Sequence, residues 1–67
     1  MAISDASMEK LMRKAGAERV SDSAKKKLKV VLEKQAIEIS KRAVRFSKHA
    51  GRKTIKAKDI SMAVKHD

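Results

Sequence analysis

The sequence predicts an all-α chain of three helices, short–long–short, on the strength of three features. Proline is absent, and the two glycines, Gly16 and Gly51, cut the chain into a short, a long and a short segment. Apolar residues recur at helical spacing in each segment. The long middle segment also carries apolar residues on two opposite sides, more than its short flanks can cover. The expectation is therefore one domain over residues 1–67 that pairs with a second copy of itself.

The first helix is expected from about Ser4 to Ala15. Met8, Leu11, Met12 and Ala15 follow the i, i+3, i+4, i+7 pattern, which makes Met8 and Met12 core residues. Ser4 or Asp5 can cap its start, and Gly16 supplies a left-handed residue at its end. A linker, Gly16 to Ser21, follows, and Ser21 suits the N-cap of the next helix.

The second helix is expected from Asp22 to Ala50. At roughly 100° per residue, Ala24, Leu28, Val31, Leu32, Gln35, Ile39, Ala43, Phe46 and Ala50 form one stripe. Val30, Ile37 and Val44, spaced by sevens, form a narrower one on the far side, and charged residues fill the strips between. A helix of this length, roughly 40 Å, exceeds the diameter of a compact globule of this size. A second copy is the economical cover for its apolar faces.

Gly51 ends the long helix, and Arg52 to Lys56 forms a loop in which Thr54 and Ile55 could make a very short strand, with Val20 as its possible partner. The third helix is expected from Ala57 to Val64 or slightly beyond, with Ile60, Ala63 and Val64 as its buried face. Asp59 lies in its first turn, favourable to the helix dipole. Its N-cap is not legible, though Thr54 is a candidate.

Charge narrows the function. The chain carries 18 Lys and Arg against 8 Asp and Glu, for a net +10. Two copies double that, a self-repelling surface that suits a polyanion such as nucleic acid. No apolar run is long enough to span a membrane, and Met1 to Ser7 lacks a basic start followed by an apolar stretch, so neither membrane insertion nor secretion is expected. Cysteine is absent and His49 and His66 are the two imidazoles, so no disulfide, metal site or cofactor is expected. No nucleophile–base set or phosphate loop stands out, and an enzyme is not expected.

Two strings carry a family resemblance. Ala15-Gly-Ala-Glu-Arg-Val-Ser21 and His49-Ala-Gly-Arg-Lys-Thr-Ile-Lys-Ala-Lys-Asp-Ile60, separated by one long helix, resemble the two loops of archaeal histones, and the likeness covers residues 8 to 65. It implies the histone fold: an intertwined handshake homodimer whose long helices cross, which would account for both apolar stripes. Leu28, Val31, Leu32, Gln35, Ile39 and Ala43 would form the dimer core. It also implies double-stranded DNA as partner, held on the outside by paired first helices and by loops, largely without sequence specificity. Nucleosomal histones are the established case of this binding style, with arginines in the minor groove and no base-specific contacts.

Carried over by position, Arg19 matches a minor-groove arginine, where it would read groove width; its plainer role is a surface pair with Glu18. Lys53, Thr54 and Lys56 match phosphate contacts of the second loop, and Lys10 and Arg13 match those of the first helix. Ser21 and Lys25 stand beside the first loop as further DNA-contact candidates, while Lys26, Lys27 and Lys29 more simply make a solvated face. Lys10 stands where the family usually has arginine, and Ala2-Ile-Ser-Asp-Ala-Ser7 replaces an apolar, proline-containing start. Arg52 and Asp59 match an internal salt bridge. Phe46, His49, Asp59 and Met62 match positions that meet between dimers, although His49 also suits a helix C-terminus. Gly16 matches a small residue in the stacking of extended fibres, and ending the helix is its sufficient explanation.

The implied function is an architectural chromatin protein that wraps or compacts DNA on the chromosome, as homodimers that grow into tetramers or fibres or pair with other histones. Two other readings stay open: an RNA- or ribosome-associated basic protein, and a histone-fold dimerisation subunit of a transcription complex. The absence of Tyr and Trp removes the usual stacking residues of single-strand readers.

Overall fold

A computed structural model describes residues 4–65, so Ala2, Ile3 and His66 lie outside the described residues. Three helices follow one another: α1 (Asp5–Lys14), α2 (Asp22–His49) and α3 (Ala57–Lys65). The chain divides into two compact units, 1–33 and 34–67, and the division falls inside α2.

In the first unit, Ser4 starts α1: its extended backbone turns the chain, and its hydroxyl accepts the Ser7 N–H at 3.1 Å. Asp5 in the first turn and Arg13 and Lys14 in the last complement the helix dipole. Met8 is the buried anchor of the unit, worth about 2 kcal/mol of apolar burial. Past the end of α1, the Gly16 N–H reaches the Arg13 carbonyl and the Ala17 N–H reaches the Met12 carbonyl. This is the Schellman pair of bonds, and Gly16 allows it by adopting φ +107°. Ser21 then opens α2 by accepting the Ala24 N–H at 3.1 Å.

In the second unit α2 ends by the same device. The Gly51 N–H bonds the Lys48 carbonyl, the Arg52 N–H bonds the Ser47 carbonyl, and Gly51 has φ +73°. The core here is small: Ala43 and Ala63 with the polar Ser47 and Asp59. Small residues let α2 and α3 approach closely, at the cost of apolar area. Arg42 adds a tie, its Nε donating to the Ala63 carbonyl at 3.0 Å in the last turn of α3.

Two expectations need correction. Among the described residues there is no strand, and Val20 and Ile55 both lie in irregular loop. A strand of two residues is not stable without a neighbouring strand to pair with. The buried face of α3 is Asp59 and Ala63, whereas Ile60 and Val64 are exposed. An acid occupies the inner face because it is paired, as described below, and Ile60 and Val64 are turned outward.

Candidate nucleic-acid interface

Both inter-helix loops are stretches of cationic backbone clamped at their ends, but the clamps differ. In the first unit, Glu9 on α1 is the hub. Its carboxylate meets Arg13 Nε at 3.6 Å and Lys25 Nζ at 3.4 Å. Lys25 also pairs with Asp22 at 3.2 Å, and that hydrogen bond leads the contacts that raise its pKa. Arg13 Nη1 continues the chain of contacts by donating to the Glu18 carbonyl at 3.1 Å, which fixes the loop between α1 and α2. Arg19, next along, is exposed and has no hydrogen bond or ion pair among the described residues. No ion pair joins Arg19 to the Glu18 carboxylate, and the Glu18 carbonyl accepts from Arg13. Arg19 rims a mostly apolar hollow lined by Met12, Ala15, Val20 and Ala24.

The loop of the second unit is held by buried polar groups. The Arg52 guanidinium donates to both Asp59 oxygens, each at 2.8 Å, in a fork-to-fork pair. Asp59 is 1% exposed. Its carboxyl is held well below the usual aspartate range, first by the Arg52 hydrogen bonds and then by the Lys56 N–H, against the opposing effect of desolvation. The Lys56 N–H donates to Asp59 Oδ2 at 2.8 Å, so Asp59 reaches back from the third position of α3 to close its start. Thr54 therefore does not cap α3. Its carbonyl instead accepts from Arg52 Nη1, and Ser47 Oγ lies 3.0 Å from both the Thr54 and Arg52 carbonyls. One hydroxyl proton is shared between them, and the loop is pinned from beneath.

The consequence is a rigid rim. Lys53, Thr54 and Lys56 point outward as exposed residues, and neither ammonium has an internal partner among the described residues. The candidates on the first helix divide. Lys10 is exposed and unpaired among the described residues, whereas Arg13 is engaged by Glu9 and Glu18. Lys25 is a brace between α1 and α2, and the Ser21 hydroxyl is a helix cap in contact with Ser23. Ser47 was not foreseen; a serine four residues before the helix-ending glycine was its only signal.

The remaining candidates fall on α2 and α3. Leu28, Leu32 and Ile39 are half-buried and Ala43 is buried, while Val31 and Gln35 are exposed at the middle of the same stripe. Phe46, His49, Asp59 and Met62 line one shallow hollow of about 260 Å³, with Ala50, Arg52 and Lys58. Gly16 has open space where a Cβ would stand. No group of three or more His, Cys, Asp or Glu placed to hold a metal occurs among the described residues, and no helix there is long and apolar enough to cross a membrane.

A helical chain of net charge +10 whose two loops are locked internally and present unpaired cations outward defines a protein class: an all-α polyanion-binding subunit. The family it falls in follows from comparison with known proteins. The family described as histone-like transcription factor (CBF/NF-Y) and archaeal histone matches residues 1–64, and the chain belongs to it. A subunit of the archaeal histone HAN1 from Thermococcus zilligii is 57% identical over 60 residues, 90% of either chain. Probable archaeal histone 3 of Methanocaldococcus jannaschii is 43% identical over 56 residues, 84% of either chain. The chain thus has the histone fold and is a DNA-binding chromatin protein of the archaeal histone kind, not an enzyme.

Proposed function

We propose that two copies of the chain interlock as a handshake homodimer and hold duplex DNA by its phosphates, bending and compacting it without reading its sequence. The observation that carries this reading is the braced second loop. Arg52 and Asp59 hold each other, Ser47 donates to the Arg52 and Thr54 carbonyls, and Lys53 and Lys56 are left outward with no internal partner among the described residues. Fixed cations at fixed spacing suit a phosphate backbone and carry no base information. Arg19 would enter the minor groove, and Lys10 and Thr54 would add phosphate contacts; Arg13, Lys25 and Ser21 contribute mainly by holding the first loop in shape.

Dimerisation is supported by what a lone chain leaves wet. Leu11, Val31, Ile60 and Val64 are all exposed, and Gln35 lies one turn from Val31. A second copy would hide them through the stripe of Leu28, Val31, Leu32, Gln35, Ile39 and Ala43. Tetramers or longer assemblies would then use the hollow of Phe46, His49, Asp59 and Met62, and Gly16, bare of a side chain, would let successive DNA turns approach.

The test is a duplex titration at several salt concentrations. With roughly ten phosphates neutralised per dimer, log K should fall against log salt with a slope near ~−9. A slope near zero sinks the reading, and structured RNA outcompeting duplex DNA transfers it to an RNA-bound protein. A second reading concerns the partner only. The Thermococcus relative is named as one subunit of its histone, so the working dimer here could join this chain to a different histone-fold chain. A purified chain that is monomeric by light scattering favours that version, and a homodimer the first.

A further inference from the structure

Between Leu28 and Ile39, the apolar stripe of α2 has one polar member. Leu28, Val31, Leu32 and Ile39 stand around Gln35 at spacings of three, four and seven residues, so its amide lies near the centre line of the stripe and not at its edge. Asp22 to Gln35 is half of the 28 residues of α2, which puts Gln35 at the middle of the helix as well. Gln35 is exposed, and its side chain makes no hydrogen bond among the described residues. One turn away, Val31 is exposed too.

A second copy that covers the stripe, as proposed above, takes this amide out of water. A buried amide is costly unless its oxygen and its NH2 both find partners. Along its own helix Gln35 finds no complete set. Val31, Leu32 and Ile39 are aliphatic, and Glu38, three residues on and off the stripe, offers acceptors alone and cannot serve the amide oxygen. Symmetry supplies what the chain lacks. Two identical helices related by a two-fold axis and crossing at their middles set the mid-helix residue against its own copy. We infer that Gln35 selects the second chain: the two Gln35 amides meet across the axis, each carbonyl oxygen accepting from the NH2 of the other. An aliphatic residue opposite would leave both ends of the amide dry and unpaired, whereas a second amide presents one donor and one acceptor in matching order. A single polar residue inside an apolar helix interface fixes partner and register at some loss of stability. The inference rests on the dimer reading and adds to it which chain the interface accepts.

The experiment mixes full-length chains, unfolds and refolds them together, and counts the dimers by native mass spectrometry, with one chain carrying a mass tag. Tagged and untagged native chains should combine in statistical proportions. Gln35→Met keeps the length of the side chain and removes its hydrogen bonds, so it should form a homodimer of its own. Mixed with the native chain, it should give roughly fivefold or more fewer mixed dimers than the statistical share. Gln35→Glu tests the same meeting in the opposite sense. Its own dimer sets two carboxylates together, whereas a native amide opposite donates to the carboxylate, so mixed dimers should exceed the statistical share at neutral pH. Statistical mixing by both variants overturns the inference and leaves the dimer reading standing. Statistical mixing by Gln35→Met with an excess by Gln35→Glu also overturns it, because the two positions then meet without choosing a partner. A native chain that is monomeric by light scattering removes the dimer reading and the inference with it.

Discussion

The loop after α1 and the loop after α2 begin alike and end differently. Each opens on a glycine at positive φ and the same pair of Schellman hydrogen bonds. Beyond that, the first loop is held by Glu9, Arg13 and Lys25, side chains that water reaches. The second is held by Asp59 and Ser47, both buried, and by Arg52. Exposed ion pairs are worth little because water competes for both partners, whereas a buried group that loses its partner pays the full desolvation cost. The same backbone device is therefore supported by a soft brace in one place and a hard brace in the other.

The sharpest way to break the comparison is Asp59→Ala. It strands Arg52 and leaves the Lys56 N–H at the start of α3 without an acceptor, so the melting temperature should fall further than for any single substitution in the first loop. Acid does the same reversibly. The folded Asp59 carboxyl lies well below its ordinary value of 3.8, so the unfolded chain takes up the proton first as pH falls. The stability this pair supplies is present in full above that ordinary value and is lost progressively below it. Urea midpoints measured from neutrality down to acid pH should drop in the native chain, and the part of that drop owed to Asp59 should be missing in Asp59→Ala.

Ser47→Ala comes next, at about 1–2 kcal/mol, because it removes the hydroxyl shared by the Arg52 and Thr54 carbonyls in a buried setting. Thr54 keeps its bond from Arg52, so the Arg52 carbonyl carries most of the loss. A change below a few tenths of a kcal/mol in the denaturant midpoint would mean that the loop is not pinned from below.

Gly16→Ala and Gly51→Ala should each cost about 1–2 kcal/mol, since open space surrounds both and the penalty is purely that of a side chain at positive φ. Gly16, at φ +107°, sits farther from the left-handed well and should cost more than Gly51 at +73°. The order would reverse only if the second loop transmitted its strain to Asp59, which would show as a steeper acid dependence in Gly51→Ala.

Much of this was legible in the sequence, because the signals were local. Helix number, the two glycine stops, Ser4 and Ser21 as caps and the long helix from Asp22 follow from spacing and turn chemistry within a few residues. What stayed hidden was set by tertiary pairing. The pairing of Asp59 with Arg52 was legible only through the family likeness, and the start of α3 has no visible cap because the capping carboxylate belongs to the residue three places on. Ile60 and Val64 read as core by periodicity, yet α3 turns Asp59 and Ala63 inward. Lys25 shows the same limit from the other side: composition places it in a basic run, and only Glu9 and Asp22 make it a brace.

The smallest expected effects separate bracing from binding in the first loop. Arg19→Ala removes an exposed side chain with no internal partner among the described residues, so stability should stay within about 0.5 kcal/mol. If Arg19 meets DNA as proposed, the salt slope should become shallower by about 2 per dimer, one for each chain. Arg13→Ala should lose roughly 0.5 kcal/mol, the worth of an exposed pair with Glu9 and a bond to the Glu18 carbonyl. Its slope should change by less than that of Arg19→Ala, because a guanidinium already holding a carboxylate and a carbonyl has fewer donors left for phosphate. Equal slope changes in the two variants would show that DNA pulls Arg13 away from Glu9, and that the soft brace exists only until the duplex arrives.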